Sequence, residues 1–222
     1  MSTPNWDRLW RSAGIQFVGF FIIACVLYGH LPGVHASADE LVAFYGGERT
    51  RILIAAFFFG LNILNLMWFA AALRNTLYDA GKDGWGAAAT ASSAAFGAVF
   101  LLLIGIAATL AHPVPGSGNA AVISGLNTLG WSLIVLSSFP RAMLSMSAAF
   151  GLWRAGLISN ALFSVGVVVV VLGVLGGTTW LGDGFWAPDG AYSRFVSPVI
   201  GLVWLLVVSR VLTRSPAARS GW

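Results

Sequence analysis

Acidic residues are missing from every long apolar stretch of this sequence. Eight Asp and Glu occur in 222 residues, and all eight lie near the N-terminus or in the joints between apolar stretches. Proton-driven transport usually needs a carboxylate inside the membrane, so this class of transporter is not favoured. Histidine is missing from the same stretches, so no base is available there to activate a serine for intramembrane hydrolysis.

Cysteine is nearly absent as well. The single cysteine, Cys25, excludes an intramolecular disulfide, and its apolar surroundings favour a small buried hydrophobe over a reactive thiol. The net charge of +4 could suggest nucleic acid, but the basic residues stand singly at the ends of apolar stretches, as topology determinants do. P-loop, dinucleotide, HExxH and CxxC motifs do not occur. We therefore expect no nucleic-acid partner, no cofactor and no enzymatic activity.

Six apolar stretches are what the sequence has in abundance. They lie at about 13–29, 52–73, 85–111, 130–153, 157–177 and 196–213. A helix needs roughly 20 apolar residues to cross about 30 Å of hydrocarbon. The joints between the stretches are too short to form a core of their own. The sequence predicts an all-α polytopic transmembrane bundle of about six spans, with residues 1–222 as a single integral membrane domain.

Basic residues predict the orientation. If the N-terminus is cytoplasmic, that side holds seven basic residues and the opposite side holds three, namely Arg49, Arg51 and Arg194. Both termini are then cytoplasmic. The first stretch, with Arg8 and Arg11 before it and Val34-His35-Ala36 after it, resembles a signal peptide. Because its apolar run is long for a signal peptide, we expect a retained first helix.

Two joints and one stretch carry further patterns. Ser37 as an N-cap, with acids in the next turn, predicts a short external helix on the membrane surface that ends at Gly46-Gly47. The aromatic joint at 178–195 is expected to fold onto the bundle. Small residues fill 86–98 and predict that this stretch is the packing centre, with close approach at Gly86, Ala88, Ala91, Ala95 and Gly97.

Arg141 is the most costly residue in the sequence. It follows Pro140 inside an apolar run from about 120 to 154. With a span at 130–153, Arg141 lies near mid-membrane, where an arginine costs about 2.5–3.5 kcal/mol and usually marks function. Pro140 would free a backbone carbonyl nearby. With a span at 120–139 instead, 141–153 becomes a surface helix and Arg141 an ordinary anchor at the cytoplasmic interface.

Other polar residues inside the stretches are candidate partners of Arg141. Asn62 and Asn65 are three apart and share a helix face, and Gln16 lies in the first stretch. Ser137, Ser138, Ser145, backbone carbonyls, an anionic ligand or a lipid are further candidates. Ordinary hydrogen bonding between helices, worth about 1 kcal/mol each, explains the amides equally well.

The three histidines all belong to the external joints. His30, His35 and His112 could gather with nearby acids into a metal site, because imidazole and carboxylate suit several divalent ions. Their spacing matches no known metal motif, and solvated loop histidines are the simpler explanation.

Residues 37–73, SADELVAFYGGERTRILIAAFFFGLNILNLMWFAAAL, resemble a group of uncharacterised bacterial multi-pass membrane proteins. In that group an S-x-x-E-L-x-x-[FY] helix leads through an arginine-bearing joint into the second helix. GLWRAG (151–156) and WAPDG (186–190) resemble its second half. The resemblance implies a bacterial inner membrane, about six helices and no established activity, so it supplies no catalytic residues.

Three functions are compatible with these observations. The first is a non-catalytic accessory or structural subunit, whose partners are the lipid bilayer with bound lipid and other membrane subunits or further copies of itself. The second is a small transporter or receptor for an anionic or amphipathic ligand, using Arg141 and the Asn62/Asn65 face. The third is an intramembrane enzyme or metal site that uses the external histidines.

Overall fold

The described part of the chain is a bundle of α-helices. The computed structural model describes residues 10–112 and 120–214. Its helices, in chain order α1 to α8, are Ala13–Tyr28, Ala38–Gly47, Arg49–Asp79, Asp83–Ala111, Ala120–Leu136, Ser138–Arg154, Asn160–Gly176 and Ser197–Arg214. A π-helical turn, Tyr192–Val196, leads directly into α8.

Four segments of the described chain are long and apolar enough to cross a membrane. They are α3, α4, the combined α5–α6 segment Ala120–Arg154, and Tyr192–Arg214. Helices α1 and α7 are apolar but only 16 and 17 residues long. The predicted helical bundle is confirmed, while the number of six spans stays a prediction.

The predicted span at 130–153 differs from the structure. Helix begins earlier, at Ala120, and is interrupted at Ser137 between α5 and α6. Pro140 explains the interruption because it has no N–H to donate to the Leu136 carbonyl four residues before it. The Ser137 hydroxyl donates a hydrogen bond to the Ile134 carbonyl at 2.6 Å. Pro140 thus occupies the first turn of α6, where a proline is tolerated.

The short helix α2 forms where the N-cap pattern predicts it. The Ser37 hydroxyl accepts a hydrogen bond from the Glu40 N–H at 3.2 Å. Leu41 and Tyr45 on its apolar face are buried and pack with Ile52 of α3. Helix α2 therefore covers one end of the bundle with its apolar face.

The aromatic joint at 178–195 folds onto the bundle, as predicted. The Trp186 ring lies 4.2 Å from the Tyr192 ring between centroids, and its indole N–H donates to the Thr178 hydroxyl at 3.3 Å. The Tyr192 hydroxyl donates to the Leu172 carbonyl of α7. These contacts hold the joint against the ends of α7 and α8.

That stretch 85–111 is the packing centre stays a prediction, and its proposed close-approach positions divide between buried and exposed. Ala91 and Ala95 are exposed, whereas Gly86, Ala89 and Gly97 are buried. Small residues surround α4 on all sides, so composition alone did not show which face meets α3.

The basic residues separate between the two ends of the bundle. Gly86 of α4 lies against Arg74 of α3, and Gly151 of α6 lies against Trp85 of α4. Arg74, Lys82 and Arg154 therefore lie at the same end of the bundle. We call it the basic end. At the opposite end Arg51 contacts Gly29, and Arg194 donates to the Leu31 carbonyl. We call residues 31–34 the strap and this end the strap end.

Candidate functional site

Arg141 joins α6 to α8. Its Nη2 donates to the Ser197 hydroxyl at 2.6 Å and to the Ser138 hydroxyl at 3.2 Å. Ser197 is the first residue of α8, far from the basic end. Arg154 lies thirteen residues further along α6, about 20 Å away at helical rise. Arg141 is therefore distant from the end where Arg154 lies.

The surface-helix alternative for 141–153 does not fit this arrangement. One face of α6 is buried along its whole length, as shown by Ala142, Ser145, Ala148 and Leu152. A helix lying on the membrane surface would bury only its apolar side against lipid and leave a polar side in water. Helix α6 packs inside the bundle instead, and Arg141 is half-buried within it.

The Arg141 guanidinium has no acidic partner among the described residues. The ion pairs of that part of the chain are Arg51–Glu48 and Arg194–Asp189. Both hydrogen bonds of Arg141 use Nη2, so Nε and Nη1 can still donate to another acceptor. A guanidinium removed from water and left without an anion is energetically costly, which favours an anion at this position.

Gly176 allows the close approach that holds this cluster. A Cβ at position 176 would lie 2.8 Å from the Ser138 hydroxyl oxygen and 3.2 Å from that of Ser197. Without a side chain, the end of α7 packs directly on both hydroxyls that accept from Arg141. Three helices thus fix the guanidinium.

An internal cavity of about 460 Å³ lies in front of Arg141. It is bounded by α1, α3 and α4 on one side and by α5, α6 and α8 on the other. The first side is aromatic: the rings of Phe21, Phe59 and Phe100 lie within 5.7–6.1 Å of one another. The second side is mainly aliphatic. Arg141 with its serines forms a polar patch on an otherwise largely apolar surface.

The strap crosses the strap end of the cavity. Each of its four residues accepts or donates one hydrogen bond across the molecule. The contacts are Arg194 Nη1 to the Leu31 carbonyl at 2.9 Å, Trp131 Nε1 to the Pro32 carbonyl at 3.0 Å, Asn127 Nδ2 to the Gly33 carbonyl at 2.9 Å, and the Val34 N–H to Asp189 Oδ2 at 3.0 Å. The strap is therefore fixed to α5 and to the segment before α8.

Arg194 is a second arginine on the cavity wall, in a different electrostatic setting. Its guanidinium lies 4.0 Å from the Asp189 carboxylate and 5.0 Å from the centroid of the Trp131 ring. A cation over an aromatic face and beside a carboxylate is already compensated. The uncompensated positive charge of the cavity is thus that of Arg141.

The predicted amide partners of Arg141 lie elsewhere. Asn65 donates to the Leu61 carbonyl at 3.1 Å, and Gln16 donates to the Ser12 hydroxyl at 3.0 Å. Asn62 is 1% exposed, and its Oδ1 has no hydrogen-bond partner in the described chain. None of the three lines the cavity. The structure brings together Arg141, Ser138 and Ser145 from the predicted set, and Pro140 acts by starting α6.

The three histidines do not gather. Among residues 10–112 and 120–214, no three His, Cys, Asp or Glu side chains come close enough to hold a metal ion. His30 lies at the strap end with its Nε2 3.5 Å from Arg194 Nη1. A neighbouring guanidinium opposes the binding of a metal cation there.

Sequence reasoning missed Ser197, the aromatic wall and the strap. Ser197 is 56 positions from Arg141, so only the tertiary packing of α6 on α8 connects them. Arg194 stood out in the sequence only as a topology determinant. A clue to the wall was available in the many phenylalanines of the first three apolar stretches, although no spacing rule distinguishes cavity rings from lipid-facing rings.

Comparison of the chain with protein-family models, with curated proteins and with solved structures finds no match. The function must therefore be argued from the site itself.

Proposed function

We propose that this protein is a membrane receptor for an anionic amphiphile, whose charged head binds Arg141 and whose apolar tail fills the cavity. The observation that carries the proposal is the Arg141 guanidinium, which lines a largely apolar cavity and has no acidic partner in the described chain. Cavities of this size are typical of small-molecule sites, in which a few polar groups orient a mostly apolar ligand.

Charge balance supports a head with a single negative charge. Arg194 is compensated by Asp189, which leaves one positive charge facing the cavity. A carboxylate suits a guanidinium because both groups are planar and can share two parallel hydrogen bonds. A long-chain carboxylate therefore combines the head and the tail that this site favours.

Two predictions from the sequence are proposed together with this function. A role as an accessory subunit in a larger membrane assembly, or in an assembly of identical copies, is compatible with ligand binding. A bacterial inner membrane with both termini in the cytoplasm remains our proposed location, based on the resemblance and on the seven-to-three distribution of basic residues.

Binding of oleate to the protein in a non-ionic detergent tests the proposal. Arg141→Gln removes a charge-assisted hydrogen bond of about 1.5–3 kcal/mol, so we expect Kd to rise roughly 10- to 100-fold. Arg141→Lys should recover only part of the affinity because an ammonium lacks the planar fork. Equilibrium dialysis with radiolabelled oleate measures the three constants.

Two controls make the test specific. Oleyl alcohol has the same chain and no charge, so Arg141→Gln should leave its binding nearly unchanged. Arg154→Gln removes an exposed arginine from the same helix and should not affect oleate. If the wild-type protein binds no oleate, or if Arg154→Gln weakens binding as much as Arg141→Gln does, the proposed function is wrong.

A further inference from the structure

We infer that the ligand enters the cavity from within the bilayer, through a gap between the second half of α1 and the start of α8. This inference rests on the proposed function and adds the source of the ligand. A receptor open to the membrane selects amphiphiles that are dissolved in lipid, whereas one open to water selects soluble anions.

We place the gap beyond the point where α1 and α8 are in close contact. Near the basic end they are in tight contact, since a Cβ on Gly14 would clash with Ser209 and lie 3.2 Å from Leu205. Along its whole length α1 also packs on α3, beginning with Phe69 beside Gly14. The Phe21 and Phe59 rings are 5.7 Å apart, and Tyr28 lies 6.5 Å from Phe59.

Residues at the gap are both cavity-lining and exposed. Cys25 on α1, and Gly29 and His30 just after it, line the cavity and are exposed on the surface of the chain. The expectation that Cys25 is buried is therefore wrong. Phe195 on the opposite side also lines the cavity and is 64% exposed. Residues that meet the cavity and the exterior at once mark an opening.

The surface around the gap is apolar, apart from His30 and the Arg51 guanidinium beside Gly29 at the strap end. Val26 on α1 is 75% exposed, and Val199 on α8 is 53% exposed. Apolar helices with such exposed side chains are compatible with contact to lipid. The gap therefore faces hydrocarbon, while the route from the strap end is crossed by the four hydrogen bonds of the strap.

Cys25 gives direct access to this gap, because it is the single cysteine of the chain. We would reconstitute the protein in liposomes and follow the loading of anthroyloxy-stearate by energy transfer from tryptophan in a stopped-flow instrument. N-benzylmaleimide is reacted with Cys25 in detergent, and complete alkylation is checked by mass before reconstitution. The adduct should slow association and dissociation alike, each at least tenfold, because it narrows the passage in both directions.

A matched variant places the thiol one position further along α1. In Cys25→Ser combined with Val26→Cys, the thiol is exposed and does not line the cavity, so the same reagent should leave both rates unchanged. Asn127→Ala removes one strap hydrogen bond and should not speed association, because the probe does not pass the strap. Faster loading in Asn127→Ala, together with no effect of the adduct at Cys25, would show entry through the strap end and overturn the inference.

The outcomes separate this inference from the proposed function. If the unmodified protein takes up the probe and its rates are insensitive to the Cys25 adduct, the lateral route is wrong and the receptor function stands. If the adduct lowers the affinity for the probe without slowing association, the lateral route is also wrong, because the adduct then occupies the cavity and not the passage. If no probe is taken up at all, both proposals fail together.

Discussion

Placing the Arg141 guanidinium inside the bundle costs desolvation free energy, which its neighbours in the described chain offset only in part. The guanidinium has two hydroxyl partners and no carboxylate in the described chain. Serine hydroxyls accept its protons but do not neutralise its charge, so part of the desolvation cost remains. A bound anion would remove that cost, and the apolar wall in front of Arg141 would hold the attached chain.

Gly176→Ala should weaken this arrangement. The added methyl group would lie 2.8 Å from the Ser138 hydroxyl oxygen, so α7 must move or the serine must turn away from Arg141. We expect a loss of about 1–3 kcal/mol of stability, as for overpacking elsewhere, and weaker binding of oleate. Thermal unfolding in detergent and equilibrium dialysis measure the two effects.

Gly60→Ala is the matched control for this substitution. It also adds one methyl group to an apolar helix, but nothing lies within 4 Å of the new Cβ. Stability and oleate binding should both stay at wild-type values. If Gly60→Ala were as harmful as Gly176→Ala, the effect would come from replacing a helical glycine and not from the cluster around Arg141.

Single residues were predictable from the sequence where their chemistry is rare. Arginine inside an apolar run costs free energy wherever it is placed, and proline interrupts helical hydrogen bonding in any surroundings, so Arg141 and Pro140 stood out. Serine is common in these stretches and also occurs in ordinary helix packing, so its presence does not indicate a site. Ser197 therefore became visible only once α8 was seen beside α6.

The composition of α4 predicts the helix and its length but not which of its faces is packed. Its existence and length follow from its apolar residues, and the predicted range 85–111 agrees closely with Asp83–Ala111. Its orientation does not follow, because small residues occur on all its sides. The buried positions Gly86, Ala89, Ser93 and Gly97 are spaced three or four residues apart, and this spacing identifies one helix face.

Leucine substitutions on α4 test which face is packed. Ala89 is fully buried, while Ala91 is exposed. Ala89→Leu should destabilise the protein by about 1–3 kcal/mol because no space is available for the added atoms. Ala91→Leu should have little effect. A thermal shift assay in detergent compares the two, and equal losses would contradict the packing of α4 described here.

Across the whole molecule, the basic residues are divided between the two ends of the bundle. Arg74, Lys82 and Arg154 share the basic end, whereas Arg49, Arg51 and Arg194 do not. This distribution predicts that the basic end faces the cytoplasm. A reporter that is active only outside the cytoplasm should be silent when inserted after Gly81 and active when inserted after Gly182. The reverse pattern would invert the proposed orientation.

Unequal helix lengths have a consequence for the surrounding lipid. Helix α1 has 16 residues and extends about 24 Å, whereas the α5–α6 segment has 35 residues and extends about 52 Å. A hydrocarbon layer of about 30 Å must thin beside the shorter helix or leave its ends mismatched. We therefore expect acyl chains to be less well ordered beside the short helices, including the flank formed by α1 next to the gap that leads to Arg141. The bilayer itself would lower the barrier for a single chain to leave it at that place.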